Sequence, residues 1–316
     1  MSSRIPARPF DGPTSEPTRS RQEVTVESGK IQVSVVIPAF NEEASIARDL
    51  AQVRQALVDF PGHWEVIVVD DGSVDRTGEI AKEMGATVIH HEENLGTGAA
   101  RKTGIRQARG DIVVMTDADG SYPNDQIPNL LQYFPEYDQV IGARRIERGR
   151  FGPIRMIAKW MMRRIASWLT GKSIPDPNSG LRAFKREVMA RYLYLIPDGF
   201  SSVSSMTLAF LLGGHRVRFV PIDYYRRIGR SKFRPIRDTY WYFLSIIRLV
   251  AYFQPLPVFM PAALVLMGVG ILKSALDFLW LATLQESDII LILAGIMLGA
   301  IAILADTIAM HRRKDE

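Results

Sequence analysis

The chain has 316 residues, of which 47% are hydrophobic and 23% charged, and it contains no cysteine. This composition excludes disulfide frameworks and thiolate metal sites, and the five histidines show no spacing that suits a zinc site. The formal net charge of +5 agrees with three classes of partner, namely nucleic acid, anionic lipid and phosphorylated substrates.

Residues 1–30 contain four prolines, many serines and threonines, and charges of both signs. They lack the apolar core of a signal peptide. Their composition is typical of a disordered tail, so we expect the folded part of the chain to begin near residue 31.

Short β-branched runs alternate with helical segments after this tail. The runs predict strands at residues 31–38, 64–69, 86–90, 112–115, 140–145 and 216–221, and helices are predicted at residues 43–58, 77–84 and 96–108. Alternation of this kind is typical of an α/β fold with a mostly parallel sheet and right-handed crossovers.

Acidic residues follow three of the predicted strands. Glu42 follows the first, Asp70 and Asp71 follow the second, and Asp117 and Asp119 follow the fourth. The carboxyl ends of parallel strands meet at the edge of the sheet where ligands bind. Residues two apart on an extended chain point to the same side, so Asp117 and Asp119 can face one Mg²⁺ or Mn²⁺ ion shared with phosphates. The alternative is a solvated aspartate pair in a turn.

A glycine-rich segment, residues 94–102, enters the third predicted helix. It lacks the Lys-Ser/Thr pair of a nucleotide P-loop, and it does not match the G-x-G-x-x-G pattern. Both of those nucleotide-binding folds are therefore disfavoured.

Four segments together resemble the family 2 glycosyltransferases with the GT-A fold. They are VVIPAFNEE at 35–43, VVDDGSVDRT at 68–77, NLGTGAARKTGI at 94–105 and DADG at 117–120. The resemblance covers about residues 33–235. Within the family, the chain most resembles the branch that loads a sugar onto a polyprenyl phosphate, such as dolichyl-phosphate mannose synthases. It implies inverting, metal-dependent transfer from a UDP- or GDP-sugar to a polyprenyl phosphate; the alternative is another lipid or glycan acceptor.

The resemblance implies a role for each matching position at the donor site. The residues expected to frame the base, ribose and diphosphate are Pro38, Phe40, Glu42, Val69, Asp71, Asp117, Ala118 and Asp119. Asp117 and Asp119 are expected to hold Mg²⁺ or Mn²⁺, and Asp119 to serve catalysis in this way. Relatives usually place Gln or a similar oxygen donor where Ser121 stands, so the third metal ligand stays open, with water as a substitute.

Residues 142–172 contain nine Lys or Arg residues and one acid. Arg155, Lys159 and Arg163 are spaced four apart and line one face of a predicted helix. With its Trp and Met residues, this segment is typical of an interfacial helix on anionic lipid. We expect Arg144 and Arg155 to bind the acceptor phosphate, with Lys159 assisting. The alternative is a solvated basic face.

Two later segments also match the family. DPNSG at 176–180 implies that Asp176 and Ser179 shape the donor-sugar pocket, although a plain turn would look similar. RRIGRSK at 226–232 implies that Arg226 and Lys232 close over the diphosphate, although a basic loop beside a membrane would look similar. The Glu that many relatives carry near residue 206 is missing, so the sequence does not indicate which sugar is bound.

The last part of the chain is apolar. Residues 236–253 predict an amphipathic interfacial helix, and residues 256–284 and 289–310 are each long enough to span a bilayer. Lys273 and Asp277 lie four apart and can pair. Basic residues flank the hairpin, so the positive-inside rule predicts a two-helix membrane protein with the catalytic domain and both termini in the cytoplasm.

The expected organisation has four parts. They are a tail at 1–30, a catalytic domain at 31–235, an interfacial helix at 236–254, and two membrane helices with a basic tail at 255–316. The expected partners are a nucleotide sugar, a polyprenyl phosphate and the membrane. Nucleic acid is not expected, and a homo-oligomer is compatible with the sequence but not indicated by it.

Two other functions fit parts of the pattern. A processive polysaccharide synthase would need more spanning helices and a QxxRW motif, and the sequence has neither. A membrane-anchored nucleotide-sugar sensor or scaffold would share the donor site but not the turnover, so replacing Asp119 with Asn distinguishes it from an enzyme.

Overall fold

A computed structural model describes residues 31–145, 174–199, 201–228, 235–281 and 285–315, together with positions 164, 167, 171 and 283. The predicted tail at 1–30 and three predicted site residues, Arg155, Lys159 and Lys232, lie outside the described residues. Most of the predicted basic helix within 142–172 lies outside them as well.

Among these described residues, seven strands form one mixed sheet. They are β1 (Ile31–Ala39), β2 (His63–Asp70), β3 (Thr87–His90), β4 (Ile112–Met115), β5 (Gln139–Arg144), β6 (Arg182–Lys185) and β7 (Val217–Ile222). Their order is β3-β2-β1-β4-β6-β5-β7. Strands β1 to β4 are mutually parallel, β6 is antiparallel to β4 and β5, and β5 is parallel to β7. The prediction of a mostly parallel α/β sheet is confirmed, and β6 is the strand that the sequence did not reveal.

Nine α-helices occur among the described residues. They are α1 (Ile46–Ala56), α2 (Thr77–Glu83), α3 (Thr97–Gln107), α4 (Ile127–Leu131), α5 (Arg186–Tyr192), α6 (Ser202–Leu212), α7 (Pro235–Phe253), α8 (Pro255–Leu281) and α9 (Glu286–Asp315). The helices α1 to α3 connect the parallel strands, as the sequence predicted.

An apolar core lies on each face of the sheet, because alternate residues of a strand point to opposite faces. Val35 of β1 belongs to the same buried cluster as Leu50 of α1. The next residue, Val36, belongs to the opposite cluster with Ala100 of α3 and Phe210 of α6. Strands buried on both faces read as continuous apolar runs, which is why β1 and β2 were visible in the sequence.

Helix α7 packs its apolar side on the catalytic domain. Leu249, Val250 and Phe253 are buried in the core beside α5 and α6, and the ring of Phe253 lies 5.6 Å from that of Tyr192 in an edge contact. Only Gln254 separates α7 from α8. The amphipathic helix therefore connects the sheet domain directly to the apolar hairpin.

Helices α8 and α9 are each long and apolar enough to cross a membrane. Their apolar stretches, Pro255–Trp280 and Glu286–His311, have 26 residues each, and the most apolar part of each stretch is mostly not buried within the structure. Lys273 forms the predicted ion pair with Asp277, at 2.5 Å, and also contacts Asp288 of α9 at 2.6 Å. This charged cluster ties the two helices together near their connection.

Candidate active site

The acid-bearing strand ends share one edge of the sheet. In the parallel register, Ala39 of β1 lies opposite Asp70 of β2, and Val36 of β1 lies opposite Met115 of β4. The segments that follow these strands are joined by side chains. Ser45 Oγ, for example, donates to the carbonyl of Ala118 over 2.6 Å. The parallel register therefore brings the acid-bearing segments together at this edge.

Hydrogen bonds between the segments after β1 and β2 orient Glu42. The backbone N–H of Asn41 donates to Ser73 Oγ over 2.9 Å, and the amide oxygen of Asn41 accepts from the N–H of Val74 over 2.9 Å. The N–H of Glu42 donates to Thr77 Oγ1 over 2.8 Å. Asn41 has a φ of 51°, a left-handed conformation that Asn tolerates better than most residues, and this bend turns Glu42 toward the aspartates.

The turn that contains Asp119 is fixed by hydrogen bonds within the turn and by a hydrogen bond to Asp49 of α1. Asp119 Oδ1 accepts from the N–H of Ser121 over 3.0 Å and from the Ser121 hydroxyl. The N–H of Gly120, whose φ is +70°, donates to Asp49 Oδ2 over 2.9 Å. Burial and the charge of Asp117 raise the pKa of Asp119. The negative charges of the two carboxylates thus oppose each other, which favours the binding of a cation.

Asp117 is held by an arginine that the sequence analysis did not single out. Arg101 of α3 donates from Nη2 to Asp117 Oδ1 over 2.7 Å and from Nη1 to Ser202 Oγ over 2.9 Å. Gly98, Arg101 and Ile105 are spaced as one helix face, and all three are buried. An arginine on the buried face of a helix was the signal in the sequence that could have revealed it.

Asp119 faces a second arginine, Arg227. Its Nη2 donates to Glu42 Oε1 over 2.6 Å, while its Nε lies 3.3 Å from Asp119 Oδ2 without an aligned hydrogen bond to any described residue. The backbone N–H of Tyr225 donates to the carbonyl of Ser121, and that of Ile228 to the carbonyl of Asp119, over 2.9 and 3.0 Å. The segment thus lies over the aspartate turn.

The neighbouring Arg226, which the family motif placed at the diphosphate, is exposed and forms no ion pair with a described residue. Its role and that of Lys232 stay predictions. The side chain that contacts the carboxylates belongs to Arg227, one position along the motif.

Four other predicted donor-site positions are buried or half-buried. Pro38 and Val69 are register partners on β1 and β2; both are buried, and Val69 belongs to the core. Ala118 is buried and Phe40 is half-buried. The predicted contacts of these residues with a base or ribose stay predictions.

Asp71, also expected at the base or ribose, organises the glycine-rich segment. Its carboxylate accepts the N–H groups of Leu95 and Gly96 over 3.1 and 2.9 Å and lies 2.7 Å from His91 Nδ1. Its side chain is buried. Asp71 therefore fixes the approach to α3, and its predicted contact with a nucleotide is not tested by this geometry.

The first turn of α3 is closed by another part of the chain. The N–H groups of Gly98 and Ala99 both donate to the carbonyl of Asp198, over 2.7 and 3.2 Å. A Cβ at residue 98 would lie 2.2 Å from the carbonyl oxygen of Pro197. The glycine is required because the two backbones approach each other closely.

Arg144 and Asp176, predicted at the acceptor and sugar pockets, form a bidentate ion pair. Arg144 donates from Nε and Nη2 to the two carboxylate oxygens over 2.6 and 2.9 Å, and its guanidinium lies 5.1 Å from the ring centre of Tyr224. Burial would raise the pKa of Asp176, but its hydrogen bonds to Arg144 and the charge of Arg144 outweigh burial and lower it. The pair fixes the end of β5 to the segment before β6.

That segment also reaches the aspartates. A Cβ at Gly180 would lie 2.6 Å from Asp117 Oδ2, and the N–H of Gly180 donates to the Tyr122 hydroxyl over 2.7 Å. Ser179 is fully buried, and its hydroxyl has no hydrogen-bond partner among the described residues. The DPNSG segment therefore borders Asp117.

A third arginine, Arg182 of β6, is fully buried. Its Nε and Nη2 both donate to the carbonyl of Ser179, the former over 3.1 Å. Its Nη1 donates to the carbonyl of Val203 over 2.8 Å and to Thr207 Oγ1 over 3.1 Å. Burial and the nearby charge of Arg101 lower its pKa to about 9. A cation with neutral partners adds positive potential behind Asp117.

The oxygen donors at this edge fit Mg²⁺ or Mn²⁺. Asp117 and Asp119 are two hard donors that repel each other, and a divalent cation would relieve this repulsion. The Ser121 hydroxyl donates to Asp119 Oδ1. Within the part of the chain that the structure describes, no group of three or more His, Asp or Glu side chains could hold a metal ion, so water and phosphate oxygens would complete the coordination.

Comparison with known proteins identifies the family of the chain. The family model of glycosyl transferase family 2 matches residues 34–193. A dolichyl-phosphate hexose transferase of Haloferax volcanii is 33% identical over 205 residues, which are 64% of this chain and 87% of the relative. An undecaprenyl-phosphate 4-deoxy-4-formamido-L-arabinose transferase of Pectobacterium carotovorum subsp. carotovorum is 37% identical over 172 residues, 51% of each chain.

A solved structure shows the same fold. Glucosyl-3-phosphoglycerate synthase from Mycobacterium tuberculosis, crystallised with Mn²⁺, UDP and glucosyl-3-phosphoglycerate, superposes with a TM-score of 0.55 at 23% identity and covers 76% of this chain and 88% of that one. The expectations of a GT-A fold and of a glycosyltransferase are thereby confirmed. The chain belongs to glycosyl transferase family 2.

Proposed function

We propose that this glycosyltransferase transfers a sugar, with inversion, from a UDP- or GDP-sugar to a polyprenyl phosphate at the cytoplasmic face of a membrane. The observation that carries the proposal is the pair Asp117 and Asp119 at the shared strand edge, bordered by Arg101 and Arg227. Relatives named for dolichyl and undecaprenyl phosphate support the choice of acceptor.

The chain's own residues can prepare the donor for departure. Asp117 and Asp119 would hold Mg²⁺ or Mn²⁺, which when bound supplies positive charge to the leaving diphosphate. Arg101 keeps Asp117 in place through its 2.7 Å contact. Arg227, and by the family motif Arg226 and Lys232, add cations on the opposite side, where negative charge develops as the sugar leaves.

The acceptor explains why no catalytic base is needed. A phosphate monoester has a second pKa of about 6, so it is mostly dianionic at pH 7, whereas a hydroxyl acceptor would need a general base. The first turns of α6 present Ser201, Ser202, Ser204 and Ser205 and no acid. Attack in line with the departing diphosphate inverts the anomeric carbon.

Basic residues would overcome repulsion between the acceptor and the donor phosphates by positioning the nucleophile. Arg144 is the described member of this set. The ion pair with Asp176 and the contact with Tyr224 hold its guanidinium in a fixed position, from which it would contribute positive charge to the acceptor site. Arg155 and Lys159 would complete the cradle.

The location follows from the hairpin. Helices α8 and α9 provide two membrane-crossing segments by length and composition, and α7 ties them to the catalytic domain through core contacts. With basic residues flanking the hairpin, the positive-inside rule favours a cytoplasmic catalytic domain, where nucleotide sugars are available.

A lipid-extraction assay tests the proposal. Membranes containing the full chain are given radiolabelled UDP- and GDP-sugars with undecaprenyl or dolichyl phosphate, and the lipid extract is counted. We expect label in the extract with one donor, loss of label with a metal chelator, and none with Asp119→Asn. Transfer that ignores the added polyprenyl phosphate would instead support another acceptor, and binding without transfer would support a sensor.

A further inference from the structure

We propose that Arg227 is an exchangeable counter-ion of the donor site. Its guanidinium neutralises Asp119 when the site is without donor, and it passes to the nucleotide diphosphate when the metal and nucleotide bind. The consequence is that metal and nucleotide bind in a coupled manner, each weakly alone. The inference rests on the donor half of the proposed function and does not depend on the acceptor.

The first reason is which oxygen Arg227 faces. Asp119 Oδ1 is engaged by both the N–H and the hydroxyl of Ser121. Oδ2 is the remaining oxygen, and Arg227 Nε lies 3.3 Å from it. A metal ion that uses Asp119 therefore meets the guanidinium at the oxygen that is left for it.

The second reason is that Arg227 is anchored unequally. Its contact with Glu42 is a 2.6 Å hydrogen bond, whereas its contact with Asp119 has no aligned hydrogen bond. Charge-assisted hydrogen bonds with good alignment are the stronger ones. The guanidinium can therefore leave Asp119 while Glu42 still holds it.

The third reason is that the backbone stays in place during such a movement. Tyr225 and Ile228, on either side of Arg227, bond through their N–H groups to the carbonyls of Ser121 and Asp119. These bonds do not involve the side chain of Arg227, which is 28% exposed. A long side chain on a fixed backbone can exchange partners by rotamer changes alone.

Charge balance then links the two ligands. A divalent ion alone would displace the Arg227 guanidinium from Asp119. The guanidinium would keep its contact with Glu42 but gain no new partner. A metal ion that arrives with a diphosphate brings anionic oxygens, which a planar guanidinium binds well. Two ligands that affect each other's binding in this manner share one coupling free energy, and the coupling is reciprocal.

The test measures Mn²⁺ binding to the full chain in detergent, by electron paramagnetic resonance of free Mn²⁺, with and without UDP or GDP. The coupling is the ratio of the Mn²⁺ Kd without nucleotide to the Kd with it. For Arg227→Gln we expect tighter Mn²⁺ binding without nucleotide, weaker binding with it, and a coupling reduced about tenfold. Arg227→Lys keeps the charge without the fork and should lie between the two.

Two matched variants remove one positive charge elsewhere. Arg106→Gln changes an exposed position in the last turn of α3, at the opposite edge of the sheet, and should leave both Kd values as in the wild type. Arg226→Gln changes the neighbouring exposed arginine and should not tighten Mn²⁺ binding without nucleotide. Thermal unfolding of each variant confirms that it is folded.

Three results would overturn the inference. They are Mn²⁺ binding to Arg227→Gln without nucleotide that is no tighter than in the wild type, the Arg227 pattern appearing in Arg226→Gln instead, and a wild type that binds no Mn²⁺ in either condition. Failure of the proposed function looks different, because the coupling would persist while lipid extracts from the transfer assay stay unlabelled.

Discussion

Asp117 and Asp119, the two aspartates of the proposed donor site, are each paired with an arginine, and the two arginines are of different kinds. On the inner side, Arg101 extends from α3, is 5% exposed, and is also bonded to Ser202. On the outer side, Arg227 lies on an irregular segment, is 28% exposed, and meets Asp119 without an aligned hydrogen bond. We therefore expect the contact between Arg101 and Asp117 to persist, whereas the contact between Arg227 and Asp119 can be exchanged.

Replacing each aspartate in turn by asparagine should have the largest effect on turnover. The melting temperatures of the two variants should distinguish the inner aspartate, Asp117, from the outer one, Asp119. Asp117→Asn and Asp119→Asn should each lower turnover by about a hundredfold or more, because metal charge is worth several kcal/mol in the transition state. Asp119→Asn should melt no lower than the wild type, since burial and Asp117 disfavour its charge. Asp117→Asn leaves Arg101 buried beside a neutral group and should melt lower.

Turnover and calorimetric melting of the two variants, measured in the same detergent, check this expectation. Equal melting temperatures for the two would contradict the contrast between an inner and an outer side.

Removing the arginines themselves should sharpen the contrast. Arg101→Met leaves Asp117 without its buried partner and should reduce the free energy of unfolding by about 2 kcal/mol or more. Arg227→Met removes a half-exposed contact and should change it by less than about 1 kcal/mol. Denaturant unfolding measures both values. A larger loss for Arg227→Met would reverse the assignment of the two sides.

The sequence predicted the elements better than the partners of the site residues. Continuous apolar runs identified β1, β2 and β4, and the spacing of Asp117 and Asp119 indicated the candidate site. Strand β6 has four residues with a charge at each end, and its partners come from distant parts of the chain, so no local pattern marks it.

The arginines were missed for a related reason. Arg101 contacts Asp117 through the fold, and only its place on a buried helix face hints at it. In the segment after β7 no periodicity decides which side chain turns inward. The family motif therefore indicated Arg226, whereas Arg227 contacts the carboxylates.

The buried carboxyl group of Asp49, which binds the turn that contains Asp119, makes the stability of the protein depend on pH. Burial first, and then the charges of Asp119 and Asp117, raise the pKa of Asp49 to about 7. The folded protein therefore holds a proton that the unfolded chain releases above about pH 4. Stability should fall as the pH rises from about 4 to 7 and be constant above that range.

Asp49→Asn should remove this dependence. The loss of unfolding free energy between pH 5 and 8 should be smaller in the variant by about 2–3 kcal/mol, because about two pH units of this interval lie below the raised pKa and one unit is worth about 1.4 kcal/mol. Unfolding at the two pH values measures it. Parallel pH profiles for variant and wild type would show that Asp49 is ionised throughout this range.

The smallest effect is expected at the anchor of the outer arginine. Glu42→Gln keeps an acceptor for Arg227 Nη2 but removes the charge of the 2.6 Å pair. Arg227 should then depend more on Asp119, so Mn²⁺ binding without nucleotide should weaken by about two- to threefold, as for a single modest ion pair. The Mn²⁺ titration measures it, and tighter binding would show that Glu42 does not hold Arg227 away from Asp119.

The closed first turn of α3 has a consequence for how this enzyme handles anions. Many phosphate-binding folds let the dipole at a helix start attract the ligand, but here two of those amides bind the carbonyl of Asp198. The positive charge that borders Asp117 and Asp119 comes instead from the side chains of Arg101 and Arg227. Side-chain charge of this kind is screened by salt, and a single substitution can alter it while the backbone stays unchanged.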